Sequence, residues 1–167
     1  MENQGTKEYK RIERVDTDCF ACGRDNPHGL HMRFETNGEN LRSSITVPCH
    51  MRGWSNLVHG GILSTICDEI MSWSAIYLTR RFILTKSLSL TFLKPVFIDR
   101  EIMARGFIKE RVDERNAVVG AEILDKNGEI CTRARGEFAL FTPEDFRKFK
   151  IMPDELIDEM SASFETD

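Results

Sequence analysis

The stretch Val58-His59-Gly60-Gly61, followed by Asp68, has the residue types and spacing to act on a carbonyl group. A glycine pair where a chain turns into a helix lets a ligand approach the backbone with no Cβ in the way. The first N–H groups of a helix lack intrahelical partners and stand at the positive end of its dipole. They suit an oxyanion developing on a carbonyl under attack. Asp68 lies about two helical turns beyond Gly61 and so points along the same side. Its neighbours Ile66 and Cys67 are apolar, and a carboxylate in such company is costly unless it has partners or a chemical role. Glu69 sits about 100° further round the helix, so it cannot share a site with Asp68 and is expected at the surface or an interface. Taken singly, a Gly-Gly pair is an ordinary turn and an Asp-Glu pair an ordinary solvated face.

Cys19, Cys22, His28 and His31 have the donor types of a zinc site at close spacing. His31 begins a strand pattern, however, so the expectation is a packed turn with two buried or half-buried thiols and no metal. Trp54 is a candidate for lining a substrate pocket. Trp73, five residues after Asp68 on the same helix, is a candidate for the core.

A helix and a sheet must hold these residues. Ile62, Ile66, Ile70, Trp73 and Tyr77 recur at steps of three and four, and Leu63, Cys67, Met71, Ala75 and Leu78 make a second stripe. A helix apolar around much of its circumference is one that a sheet wraps. Its basic end, Thr79-Arg80-Arg81, complements the helix dipole. Upstream, LHMRFET and NLRSSITVPC flank NGEN as a hairpin. Downstream, TKSLSLTFLKPVFI, EIMARGFIKERVDE, RNAVVGAEILDKNG and EICTRARGEFALFTP read as four strands joined by short polar turns. The expected class is α+β, one long central helix packed on an antiparallel sheet of about six strands. The edges of such a sheet need a partner chain to cover them.

Residues 1–16 are charged and aperiodic and read as a flexible leader, with the domain over 17–142. Residues 143–167 form a charged tail, partly helical through EDFRKFK, whose last residues are expected to fray. The 167 residues are 41% hydrophobic and 30% charged, which suits one globular domain. A net charge of −4 gives no sign of a nucleic-acid partner. No apolar run is long enough to span a membrane, and the charged N-terminal stretch does not read as a secretory signal. With five cysteines, an odd count, this favours reduced thiols and a cytoplasmic location.

His59-Gly60-Gly61 with Asp68, then Thr85 through Pro95 (TKSLSLTFLKP), resembles the signature of hotdog-fold acyl-CoA thioesterases. The likeness is to the PaaI-like branch of the 4-hydroxybenzoyl-CoA thioesterase superfamily. CFACGRDNPHGLHMRF resembles the N-terminal strand region of a subset of it. The resemblance covers residues 19 to about 141 and implies hydrolysis of an acyl-CoA to a free acid and coenzyme A. It implies Asp68 as general base or nucleophile and an amide of Gly60 or Gly61 on the thioester carbonyl. His59 would orient the loop or the substrate. It further implies a homodimer or homotetramer with substrate at the subunit interface, where Thr85 of one chain faces Asp68 of another, and no metal or other cofactor.

Asn56, Trp54, Lys86 and Arg81 are candidates for binding substrate, with Arg80 and Lys94 as further cations for coenzyme A phosphates. Some relatives carry a water-positioning Asn six residues before the His, where this chain has Gly53; Asn56 is the available substitute. Two other readings stay open. One is a hydroxyacyl-thioester dehydratase using His59 and Asp68 as an acid–base pair, and the other is an acyl-CoA-binding hotdog protein without turnover.

Overall fold

The two apolar stripes of the central helix decide the architecture. In the computed structural model, which describes residues 8–13 and 16–164, this helix is α1, Gly60–Thr79. Leu63, Ile66, Cys67, Ile70, Met71 and Trp73 are all buried on it, so both stripes are covered. The cover is one antiparallel sheet of seven strands: β1 (Lys10–Ile12), β2 (Phe34–Thr36), β3 (Asn40–Thr46), β4 (Phe82–Phe92), β5 (Glu101–Arg111), β6 (Asn116–Leu124) and β7 (Ile130–Phe141). Their order across the sheet is β1-β2-β3-β5-β6-β7-β4. The α+β class with one long central helix therefore stands, with seven strands where about six were expected.

The extra strand comes from the stretch read as a leader. Lys10–Ile12 pairs antiparallel with β2, and Ile12 is buried to 7% exposure in the main core. Strand β2 is also shorter than its sequence pattern. It starts at Phe34 because Leu30 and Met32 donate their N–H groups to Phe20 and Ala21, and His31 has a φ of +52°. That segment is tied to the cysteine-containing turn rather than to the sheet. At the other end of the chain, α2 (Pro143–Arg147) is capped by Thr142, whose Oγ1 accepts the Asp145 N–H at 3.1 Å. The last residues, 165–167, expected to fray, lie outside the described residues; before them the tail forms α3 (Asp154–Ser163). Its Ile157 and Met160 lie one turn apart and join Phe82 and Phe146 in a second apolar cluster.

Helix α1 ends two residues before the expected point. Arg80 adopts the left-handed conformation (φ +54°, ψ +45°) and returns its N–H to the Ile76 carbonyl, which stops the helix at Thr79. Strand β4 then runs back alongside α1 at the open edge of the sheet. Nearly all of it is exposed, including Leu84, Leu88 and Phe92. The far side of α1 lies against β5 at Gly106, where an added Cβ would sit 2.8 Å from the Ile70 carbonyl oxygen. A helix and strand that close have no room for a methyl group. No helix among the described residues is long and apolar enough to cross a membrane.

This contact makes Gly106→Ala a test of the helix position. The substitution is expected to cost about 1–3 kcal/mol and lower Tm by roughly 2–10 °C, measured by thermal unfolding. A variant melting with wild type would mean that α1 does not press on β5 at Ile70.

Candidate active site

The helix N-terminus is built by a loop that folds back on itself. Gly53 donates its N–H to the Leu57 carbonyl at 2.8 Å, and Val58 donates to Val96 at 2.8 Å. His59 is the N-cap of α1, and its Nδ1 accepts the Gly61 N–H at 2.9 Å. The next two amides, of Ile62 and Leu63, both reach the His59 carbonyl. No backbone partner takes the Gly60 N–H among the described residues, and Gly60 lines a cleft of about 350 Å³. Leu57, Val58, Leu63, Phe92, Leu93 and Lys94 also line it, giving an apolar wall with one cation. His59 therefore has a local structural role, and of the two glycines Gly60 is the one whose amide is open to a ligand.

Asp68 lies further along the same helix, half-buried. Burial pushes its carboxyl above its ordinary value, and a hydrogen bond from Thr85 partly offsets that rise. The Thr85 hydroxyl donates to Asp68 Oδ1 at 3.1 Å, and both residues belong to one chain. This corrects the expectation that Thr85 meets the Asp68 of another chain. The antiparallel return of β4 along α1 is the cause, since it brings Thr85 beside Asp68 and Phe92 within 3.5 Å of where a Gly60 Cβ would stand. A β-bulge between Thr85 and Ser87 shifts the register against β7 at this point, a device that re-aims side chains.

The two halves of the candidate site are far apart within one chain. Seven to eight residues separate Gly60 and Gly61 from Asp68, which at the helical rise is about 10–12 Å. A thioester carbonyl oxygen bonded to the Gly60 N–H keeps its carbon within about 3–3.5 Å of an attacking atom. Within one chain the two groups therefore stand about two helical turns apart along α1.

Within the chain, the other candidates scatter. Trp54 is 87% exposed on the loop before α1, and Asn56 is exposed beside it. Gly53 lies against His59, where a Cβ would stand 3.1 Å from the His59 Cα, so this position is next to the helix start but contributes no side chain. Lys86 reaches Asn116 Oδ1 at 3.2 Å. Arg81, past the C-terminal end of α1, lines a separate cleft with Glu114, Arg115 and Asp145. Lys94, among the candidate cations, is the one beside Gly60, where it pairs with Glu129 at 2.7 Å.

Two sequence expectations change at the far side of α1. Glu69 is half-buried rather than exposed. It turns inward, where the Trp73 Nε1–H donates to its Oε1 at 3.0 Å and burial raises its carboxyl to about 7. Cys19 stands 3.7 Å from the same oxygen. His28 and His31 do not join the cysteines: His28 is exposed, and His31 Nδ1 is engaged with the Gly23 carbonyl at 3.0 Å. The Glu69 position could not be read from the helix alone, because beside Trp73 on α1 its other partner, Cys19, comes from a loop fifty residues earlier. Trp73 itself is in the core, stacked on Phe34 at 5.4 Å.

A family profile described as the thioesterase superfamily matches residues 55–132 of this chain. No curated protein matches it. Several solved structures do. They include AziG of S. sahachiroi, at 18% identity over 68% of this chain and 93% of that one with a TM-score of 0.62. PaaI of the E. coli phenylacetic acid degradation operon gives 18% identity, 67% and 80% coverage, and a TM-score of 0.60. A thioesterase protein of Streptococcus pneumoniae, solved with coenzyme A, gives 17% identity, 80% and 89% coverage, and a TM-score of 0.58. At these identities the likeness to the solved structures is one of fold. The helix wrapped by its antiparallel sheet is the hotdog fold of these thioesterase structures, and residues 55–132 are similar to the thioesterase superfamily.

Proposed function

We propose that this protein is an acyl-CoA thioesterase of the PaaI-like kind, acting as a homo-oligomer, with Asp68 as the catalytic carboxylate. The observation that carries this is the Asp68–Thr85 pair: a half-buried carboxylate with a raised pKa, held by one hydroxyl donor and otherwise open to a reacting group. Asp68 works as the carboxylate, attacking the thioester carbon directly or taking a proton from the water that attacks it. The Thr85 hydroxyl fixes the carboxylate and keeps it ionised at higher acidity than burial alone would allow.

The carbonyl oxygen is bound at the Gly60 N–H of a second copy. The axial separation of about 10–12 Å along one helix, at roughly 1.5 Å of rise per residue, supports this reading. Strand β4 supports the same arrangement: an open sheet edge with exposed Leu84, Leu88 and Phe92, bearing Thr85, is a surface suited to a second subunit. Each pair of chains then builds two equivalent sites, as an isologous contact requires. The apolar cleft at Gly60 receives part of the acyl-CoA, and Lys94 offers it a cation. His59 is occupied by the Gly61 amide, which favours hydrolysis over a dehydratase pair of His59 and Asp68.

Free-thiol release from a panel of aromatic, short-chain and long-chain acyl-CoAs tests the reading. Wild type is expected to release coenzyme A from at least one class, and Asp68→Asn to lower kcat/KM by about 10²–10⁴-fold in a folded oligomer. Binding of acyl-CoA without any turnover would overturn hydrolysis and leave a binding protein.

Gly60→Pro removes the proposed oxyanion donor while keeping the helix start, since His59 is already extended (φ −62°, ψ +135°) and proline suits the first helical position. A loss of about 10²–10³-fold in kcat is expected. Unfolding and refolding Gly60→Pro with Asp68→Asn should then restore about a quarter of wild-type activity, because half of the random pairs are mixed and each holds one intact site. No recovery in the mixed sample would refute the two-copy site.

The pH dependence follows from the sign of the Asp68 shift. Because the ionised form acts, kcat/KM falls as pH drops through a pKa above the ordinary aspartate value. Thr85→Ala deletes the group that lowers it, so the acidic limb should move to higher pH, while Thr85→Ser should hold it. An unmoved limb in Thr85→Ala would detach Thr85 from Asp68.

A further inference from the structure

We propose that Cys19, Cys22 and Glu69 form a binding site for one divalent metal ion of the zinc class, joining the N-terminal loop to helix α1. The ligand atoms of these three side chains all lie within 4.8 Å of one another. Zinc bonds to thiolate sulfur at about 2.3 Å and to carboxylate oxygen at about 2.0 Å, so a tetrahedral centre sets sulfur and oxygen about 3.5 Å apart. The distance from Cys19 Sγ to Glu69 Oε1 is 3.7 Å.

The turn that carries the cysteines is closed tightly enough to hold both sulfurs near α1. Gly23 donates its N–H to the Cys19 carbonyl at 2.9 Å and closes the turn. A Cβ at Gly23 would stand 2.6 Å from the Thr17 carbonyl, so only glycine fits.

The third donor is oriented from behind. The Trp73 indole holds Glu69 Oε1, as an outer hydrogen bond holds a metal-ligating carboxylate. Two thiolates and a carboxylate against a divalent ion leave one negative charge where the bare groups would hold three, in a place where Ala21 and Cys22 are 3% and 2% exposed. Cys19 is only half-buried, which gives the ion a way in and leaves the fourth tetrahedral position for water. The ligand types, two sulfurs and one oxygen, select zinc, or cobalt as its probe, over magnesium or calcium.

The proposal does not depend on the thioesterase reading, and its test uses no acyl-CoA. The full chain, reduced and freed of metal, is loaded with zinc or cobalt(II), dialysed, and analysed for metal content and absorption. About one ion retained per chain is expected, with a thiolate-to-cobalt charge-transfer band in the near ultraviolet and the intense visible bands of tetrahedral cobalt. Cys22→Ser and Glu69→Gln should each lower retention by at least tenfold. Wild type that keeps no metal in the reduced state, or that shows only octahedral cobalt without the sulfur band, overturns the site. So does equal retention in a Cys19→Ser, Cys22→Ser double variant, which would move the ion elsewhere. The wild-type cobalt spectrum needs no substitution, so a variant that fails to fold does not blunt the test.

Discussion

A helix with apolar residues on nearly every side must be covered on nearly every side, and the rest of this molecule follows from that need. One sheet curls around α1, close enough at Gly106 that no methyl group would fit beneath Ile70. Any polar group on such a helix then has to be satisfied by what covers it. Asp68 and Glu69, adjacent in sequence and a quarter-turn apart, meet two different answers. Asp68 faces the open sheet edge and receives a single hydroxyl from β4. Glu69 faces the N-terminal loop and receives an indole N–H and a thiol. The same constraint of burial raises both carboxyls above their ordinary values, for the same leading cause.

The chemistry proposed for Asp68 depends on a second constraint, the fixed rise of the helix. A helix start and a carboxylate two turns on look like one site in a helical projection, since they share a side. Along the axis they stand about 10–12 Å apart. Two copies resolve this if the helix start of one lies near the Asp68–Thr85 pair of the other. The exposed β4 edge, which bears Thr85 in its middle and Phe92 beside Gly60 at its end, is continuous with both half-sites. Covering that edge and completing the site are then one event.

Sequence periodicity carried the helix, its two buried stripes and the run of strands after it, because each is a local pattern of one side of an element. The candidate glycines at the helix start and Asp68 further along it were placed for the same reason, being set by helical spacing. What escaped was non-local. Thr85 was found by resemblance, but its chain assignment needed the direction in which β4 returns along α1. Lys10–Ile12 has three residues, too few for a period, and is a strand only because β2 offers it an edge. In the tail, Ile157 and Met160 are sparse apolar residues among charges, and only the cluster around Phe82 makes them a core. Glu69 shows the limit most sharply: helical geometry correctly separated it from Asp68, yet gave no hint that a loop fifty residues away would enclose it.

That enclosure bears on how helix α1 is held. The N-terminal loop reaches α1 through Cys19 and Glu69, one residue from Asp68, while Leu30 and Met32 bind the same loop through backbone hydrogen bonds to Phe20 and Ala21. Strand β2 follows directly, so the loop links the β1–β2 edge of the sheet to the middle of the helix. Asp68 itself has only the Thr85 hydroxyl to position its carboxylate, and β4 is an exposed edge strand with a bulge at that point. A carboxylate that must meet a carbonyl within a few tenths of an ångström needs a backbone that does not shift. The contact on the Glu69 side ties the helix to the loop a quarter-turn from the open edge. It leaves the Asp68 side free to accept substrate and, in the proposed oligomer, the second subunit.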